Sequence, residues 1–232
     1  LEMIGGVVFR AFHDPAQWDD VLDGSKRTCE ALVAHGAQHL VLIDSISPRR
    51  APTAGRALEA KQMDAAEWAA YVTRFREICK MGVDHGLTVG IHAPAAGFMD
   101  FESELDRLLG EISEDLLQIC FDTGHHSYAG FDPIAFMEKW ISRISYLHFK
   151  DIDPKVKADV IGKRTGFYDA CGQGIFCNLG DGDVDFSAAR QLLLDNEFQG
   201  WCTVEQDCDP TLDVRPVDDA RLNRTYLQSI GF

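Results

Sequence analysis

Short apolar runs alternate with longer amphipathic stretches along this sequence, and no other feature narrows its fold as much. Six runs read as strands, ending near Val8, Ile43, His92, Asp122, His148 and Glu205. Helical patterns separate them. Within residues 65–83, Trp68, Val72, Phe75, Cys79 and Val83 recur at three- and four-residue steps, the spacing of one helical face. Such alternation builds βα units around a parallel sheet. His35-Gly36 and His85-Gly86 close the first two full helices, and Gln199-Gly200 precedes the last strand. These glycines read as helix caps, because glycine enters the left-handed region cheaply. No Pro/Ser-rich linker or low-complexity stretch divides the chain, so residues 1–232 are read as a single domain.

The 232 residues suit one α/β barrel, a fold of about 250 residues, and the 46% hydrophobic content can fill its core. Six strands fall short of the eight that close such a barrel. A doubly wound sheet tolerates six, but its phosphate-binding glycine pattern is missing: Gly172-Gln173-Gly174 has no third glycine. Two long connections, residues 44–64 and 151–185, follow strand C-termini, where loops act as lids or specificity elements. No apolar run reaches the roughly 18 residues that span a bilayer, and no basic-then-apolar leader is present. The expectation is a cytoplasmic protein. With 22 Lys and Arg against 37 Asp and Glu, the net charge of −15 speaks against nucleic-acid binding. It suits a neutral or cationic small substrate. The seven cysteines form no C-x-x-C pair and read as small buried hydrophobes.

Chemistry concentrates at four strand ends. Side chains alternate faces along a strand, so in Leu87-Thr88-Val89-Gly90-Ile91-His92 the histidine falls opposite Leu87, Val89 and Ile91. The same parity sets Asp122 opposite Ile119 and Phe121, His148 with Lys150 opposite Leu147 and Phe149, and Glu205 opposite Val204. Parallel strands thus bring two imidazoles and two carboxylates to one mouth of the sheet. That mixed set suits Mn²⁺, Co²⁺, Fe²⁺ or Zn²⁺, and a cation removes the cost of placing two carboxylates together. Elsewhere, Asp181-Gly182-Asp183-Val184-Asp185 lacks the glycine and glutamate of a calcium loop and reads as a loop in which Asp185 or Ser187 caps a helix. Arg49-Arg50 and the Lys155/Lys157 pair read as solvated loop charge, with a phosphate subsite as the alternative.

Four segments occur in order: Phe121-Asp122-Thr123-Gly124-His125; Tyr146-Leu147-His148-Phe149-Lys150-Asp151; residues 179–186, LGDGDVDF; and residues 200–207, GWCTVEQD. Together they resemble the xylose isomerase-like TIM-barrel superfamily of sugar isomerases, epimerases and endonuclease IV, and within it the inosose (2-keto-myo-inositol) dehydratase branch. The resemblance runs from Leu1 to Leu227 and is strongest after Gly86. It implies a TIM (β/α)8 barrel, of which this chain supplies strands three to eight. The first two βα units are then expected to be absent, or the barrel to be open or completed by a partner, a homo-oligomer included.

The resemblance also implies a divalent metal, Mn²⁺ or Co²⁺ with Zn²⁺ or Mg²⁺ as alternatives, held by His92, Asp122, His148 and Glu205. His92 stands where most members carry a glutamate, and Pro94 and Asp100 depart from the dehydratase branch. The implied activity is a metal-dependent lyase that dehydrates a small cyclic polyol ketone, with Lys150 or His125 as the base and Glu205 in the catalytic set. A sugar or sugar-phosphate isomerase or epimerase is the alternative. That chemistry relies on paired metal-bound glutamates, and only Glu205 is present. The charge sets aside the nuclease branch.

Overall fold

A computed structural model describes residues 2–207 and 215–232. Cys208, one of the cysteines read above, lies outside them. In chain order the elements are β1 (Gly5–Arg10), α1 (Trp18–Ala34), β2 (His39–Asp44), α2 (Ala65–Asp84), β3 (Thr88–His92), α3 (Glu102–Glu111), β4 (Gln118–Asp122), α4 (Thr123–Ala129), α5 (Pro133–Trp140), β5 (Ile144–Phe149), β6 (Asp151–Ile152), α6 (Pro154–Gly162), α7 (Phe167–Gly172), β7 (Phe176–Cys177), α8 (Phe186–Asp195), β8 (Trp201–Val204) and α9 (Pro216–Ser229). The six expected strands form one sheet in the order β1-β2-β3-β4-β5-β8, with every pairing parallel. β1 runs two residues past Val8, and β8 stops one residue before Glu205. The sequence did not signal the antiparallel ribbon of β6 and β7.

Strand parity separates two apolar regions. Val8, Leu40, Leu42, Val89, Ile91, Ile119, Phe121, Leu147 and Phe149 join the main core, which includes the buried face of α2: Trp68, Val72, Phe75 and Cys79. Val41, Cys120 and Tyr146 form a second, smaller cluster. At the two edge strands Val7, Phe9 and Trp201 stay exposed. Gly36 and Gly86 follow the first two helices with φ of 73° and 77°, as capping glycines should. Gly200 is not a cap. α8 has already ended at Asp195, and a side chain at Gly200 would meet Phe198 and the Ser145 carbonyl.

The two long connections meet each other. Residues 51–53 and 57–59 form 3-10 turns, and Arg164, just past α6, grips Glu59 at 2.6 and 2.8 Å. Arg50 is neither solvated nor free for a phosphate. It is buried, and its guanidinium makes paired bonds to Glu104 at 2.8 and 3.0 Å while lying 5.4 and 4.8 Å from the Phe98 and Phe101 rings. Arg49 pairs with Glu67, and Lys157 donates to the Ser127 carbonyl. Asp185 caps α8 by accepting from the Ala188 N–H. Cys29, Cys79 and Cys120 are buried as expected, whereas Cys171 and Cys177 are half-buried and Cys202 is exposed.

Candidate metal centre

His92 ends β3, Asp122 ends β4, His148 lies near the end of β5 and Glu205 directly follows β8. Each of the four offers one ligand atom, and these atoms lie within 4.8 Å of one another. His92 Nε2 is 3.5 Å from Asp122 Oδ2 and 3.7 Å from Glu205 Oε2, and His148 Nδ1 approaches Glu205 Oε2 closely. Among the described residues these converging atoms find no ordinary hydrogen bond, only one another. His92 Nδ1 and Nε2, Asp122 Oδ2, His148 Nδ1 and Glu205 Oε2 are all buried without an ordinary hydrogen bond. Buried polar atoms are rarely left so, and a mixed N/O set of this kind fits a divalent cation. Burial alone would lower His92, but Asp122 and Glu205 outweigh it and hold the imidazole at about 9. For both carboxyls burial opposes the net shift. Lys150 then draws Asp122 below the usual carboxylate range, as His148 and His92 do Glu205.

Each residue of the Asp122-Thr123-Gly124-His125 segment has a separate task. Asp122 turns Oδ2 to the cluster while Oδ1 accepts the His125 N–H at 2.8 Å, capping α4. Thr123 Oγ1 donates to the Lys150 carbonyl at 2.7 Å and accepts the Lys150 N–H at 3.0 Å. Gly124 leaves room for the lysine, since a Cβ there would lie 2.7 Å from Lys150 Cγ. His125 meets the end of that lysine, with Nε2 3.0 Å from Nζ.

Lys150 is buried, with Nζ also 2.8 Å from Asp207 Oδ2, 3.5 Å from Asp122 Oδ2 and 3.6 Å from Glu205 Oε1. Burial opposes its charge, yet Asp122, Glu205 and Asp207 together raise it above the usual lysine range. Burial and then Lys150 push His125 down to about 3, so the ring is neutral. The Ala95 N–H donates to His125 Nδ1 at 3.1 Å. A neutral ring that accepts at Nδ1 carries its proton on Nε2, and at 3.0 Å that N–H is matched only by Lys150 as the free amine, because an ammonium is itself a donor. Phe167 and Phe176 wall the imidazole at centroid distances of 5.9 and 5.0 Å.

All six residues singled out from the sequence therefore meet in one place. The sequence reading missed Asp207, which anchors Lys150 from two residues beyond Glu205, a spacing visible in Glu205-Gln206-Asp207. It also missed Asp151. This buried carboxylate accepts from Ile152, Gly180, Gly182 and Val184 N–H groups at 2.9 to 3.1 Å, so the glycine-rich 179–186 segment wraps a carboxylate of the protein itself.

The sequence model described as xylose isomerase-like TIM barrel matches residues 6–230. The chain belongs to the xylose isomerase-like TIM-barrel family. Its fold is the xylose isomerase-like TIM barrel that the resemblance implied, of which the described residues form a six-stranded parallel sheet. An inosose dehydratase of Clostridium botulinum (strain Alaska E43) is 28% identical over 162 residues, 70% of this chain and 54% of the relative. The chain thus spans about half the length of the first curated relatives it matches. Among solved structures, the probable 3-DHS dehydratase AsbF of Bacillus anthracis superimposes with a TM-score of 0.75 at 17% identity, over 98% of this chain and 77% of that one. The IolI protein with a bound zinc atom gives 0.73 at 10% identity, over 99% and 76%. Both likenesses concern the fold. Among the described residues of this family member, no helix is long and apolar enough to cross a membrane.

Proposed function

We propose that this chain is a metal-dependent dehydratase of a small cyclic polyol ketone, with 2-keto-myo-inositol as the first substrate to test. The observation that carries the reading is the set of unpartnered donors on His92, Asp122, His148 and Glu205 packed directly against Lys150 and His125. Its support from relatives is the inosose dehydratase name carried at 25 to 32% identity. A divalent cation on those four residues, Mn²⁺ or Co²⁺ with Zn²⁺ or Mg²⁺ as substitutes, would supply Lewis acidity to the ketone and take up the carboxylate charge that otherwise holds the proton on Lys150.

The chain's own groups then carry the proton transfers. Lys150 Nζ, as the free amine, takes the proton from the carbon beside the ketone. The ammonium so formed gives that proton to the departing β-hydroxyl, which leaves as water, while the neutral His125 ring orients Nζ. The 3.0 Å contact between them holds Nζ in place as the free amine at the start of each turnover. Asp207 and the Thr123 pair hold the lysine in place, while Phe167 and Phe176 limit water around the imidazole.

The test is to incubate metal-loaded protein with 2-keto-myo-inositol and follow the product by absorbance and mass. Loss of one water is the expected result. An unchanged mass with altered stereochemistry would make the protein an isomerase or epimerase instead, and no product from any polyol ketone would refute both assignments.

A further inference from the structure

Asp100, in the segment after β3, has no part in the chemistry above. It is almost wholly buried; its Oδ2 accepts the Ala96 N–H at 3.0 Å, and its Oδ1 has no hydrogen-bond partner among the described residues. The turn it holds is unusual. Gly97 N–H bonds back to the Pro94 carbonyl at 2.9 Å, and Ala96, third of the four residues, has a φ of 69°. That position and sign of φ normally fall to glycine, because a Cβ is strained there. Pro94 fixes its own φ, so the turn can relax only through Ala95 and Ala96. The Ala95 N–H is the one that reaches His125 Nδ1. Adjacent amides of one strained turn are thus gripped by two side chains, Asp100 and His125.

We infer that Asp100 is a positioning residue for His125: by holding the Ala96 N–H it keeps the turn left-handed and the Ala95 N–H on His125 Nδ1, which places the ring proton on Nε2 facing Lys150. Without that grip Ala96 leaves the left-handed well, the neighbouring amide turns away, and the ring exchanges between its two neutral forms. Burial raises the Asp100 carboxyl to about 7, so it can bear a proton near neutrality, and an asparagine reproduces that neutral form. The kinetic part of this inference rests on the dehydratase reading, whereas the tautomer part does not.

Zinc-loaded protein is examined by ¹⁵N NMR of its histidine rings, with His125 assigned by the signal lost in His125→Gln, and by kinetics on 2-keto-myo-inositol. In the parent, Nδ1 should read as an acceptor and Nε2 as protonated. Asp100→Asn keeps an oxygen for the Ala96 N–H and should keep that pattern. Asp100→Leu should give a mixture of tautomers and a kcat reduced ~100-fold, with KM within about twofold, the cost of a slightly misplaced group. Ala96→Gly in the Asp100→Leu background lets the turn stay left-handed without strain. It should restore the parent tautomer and bring kcat back to within about tenfold of the parent. An unchanged tautomer in Asp100→Leu overturns the inference, as does a double variant that stays mixed. If Asp100→Leu does not fold, the tautomer of the double variant decides alone. A parent that turns over no polyol ketone refutes the dehydratase reading, and the NMR comparison still settles the role of Asp100.

Discussion

Removing Glu104 should unfold this protein more readily than removing any surface carboxylate. Arg50 and Glu104 are bonded through both terminal guanidinium nitrogens at 2.8 and 3.0 Å, and their side chains are 0% and 6% exposed. In Glu104→Ala the guanidinium stays among Phe98 and Phe101 with one long bond to the Lys61 carbonyl, at 3.4 Å, and no bonded anion. An orphaned buried charge of this kind costs about 3 to 5 kcal/mol, against about 0 to 1 kcal/mol for an exposed pair. Glu104 also accepts the Phe101 N–H at the start of α3, so a further fraction of a kcal/mol, ~0.5, goes with the cap. Replacing both partners by Met and Leu should recover most of the loss, since apolar residues of similar volume often replace a buried pair neutrally. Urea unfolding followed by circular dichroism, on both single variants and the double, gives the coupling energy directly. A loss below about 1 kcal/mol in Glu104→Ala, or a double variant as unstable as either single one, would refute the reasoning.

Other perturbations separate the roles of further residues. His92→Ala should weaken divalent-cation binding by at least the ~10- to 100-fold that loss of a supporting group costs, measured by calorimetric titration; unchanged affinity removes His92 from the ligand set. Asp151→Asn leaves one acceptor oxygen for four N–H groups and should cost about 2 kcal/mol, with faster hydrogen exchange across residues 180–184; slow exchange there would show that the loop holds itself. Asp100 gives a pH-dependent term. Its carboxyl is held at about 7 against 3.8 for the free group, so the folded state keeps a proton that the unfolded chain releases. Its contribution to stability therefore falls as pH rises from about 4 to 7 and is level above that, a change of at most ~4 kcal/mol. Asp100→Asn should gain on the parent by urea unfolding between pH 5 and pH 8, and an equal gap at both would exclude the term.

The four donors were legible in the sequence because each sits at a strand end, where alternation alone decides which face a side chain takes. The motif order carried the family for the same local reason: Asp122, Thr123, Gly124 and His125 act within one turn. Contacts between distant segments were not legible. Arg50 looked like loop charge because its partner lies 54 residues away on α3. Asp151 looked like part of a lysine motif because its partners are main-chain N–H groups, which leave no mark on residue type. Gly200 was misread because close packing against Ser145 and a left-handed cap both select glycine.

His148 and Lys150 are two residues apart on a strand and its extension, and the main chain of Lys150 is bonded on both sides to Thr123. Two steps of extended backbone span ~7 Å, a length that no side-chain substitution can alter. On the proposed function, the interval between the ligand His148 and the proton acceptor Lys150 is thus a fixed gauge built into β5. Changes in the loops around the mouth can alter which molecules enter. On that proposal they leave unchanged the separation at which an entering molecule must offer its carbonyl oxygen and its acidic C–H, so a shift in specificity is open to this scaffold where a shift in reaction geometry is not.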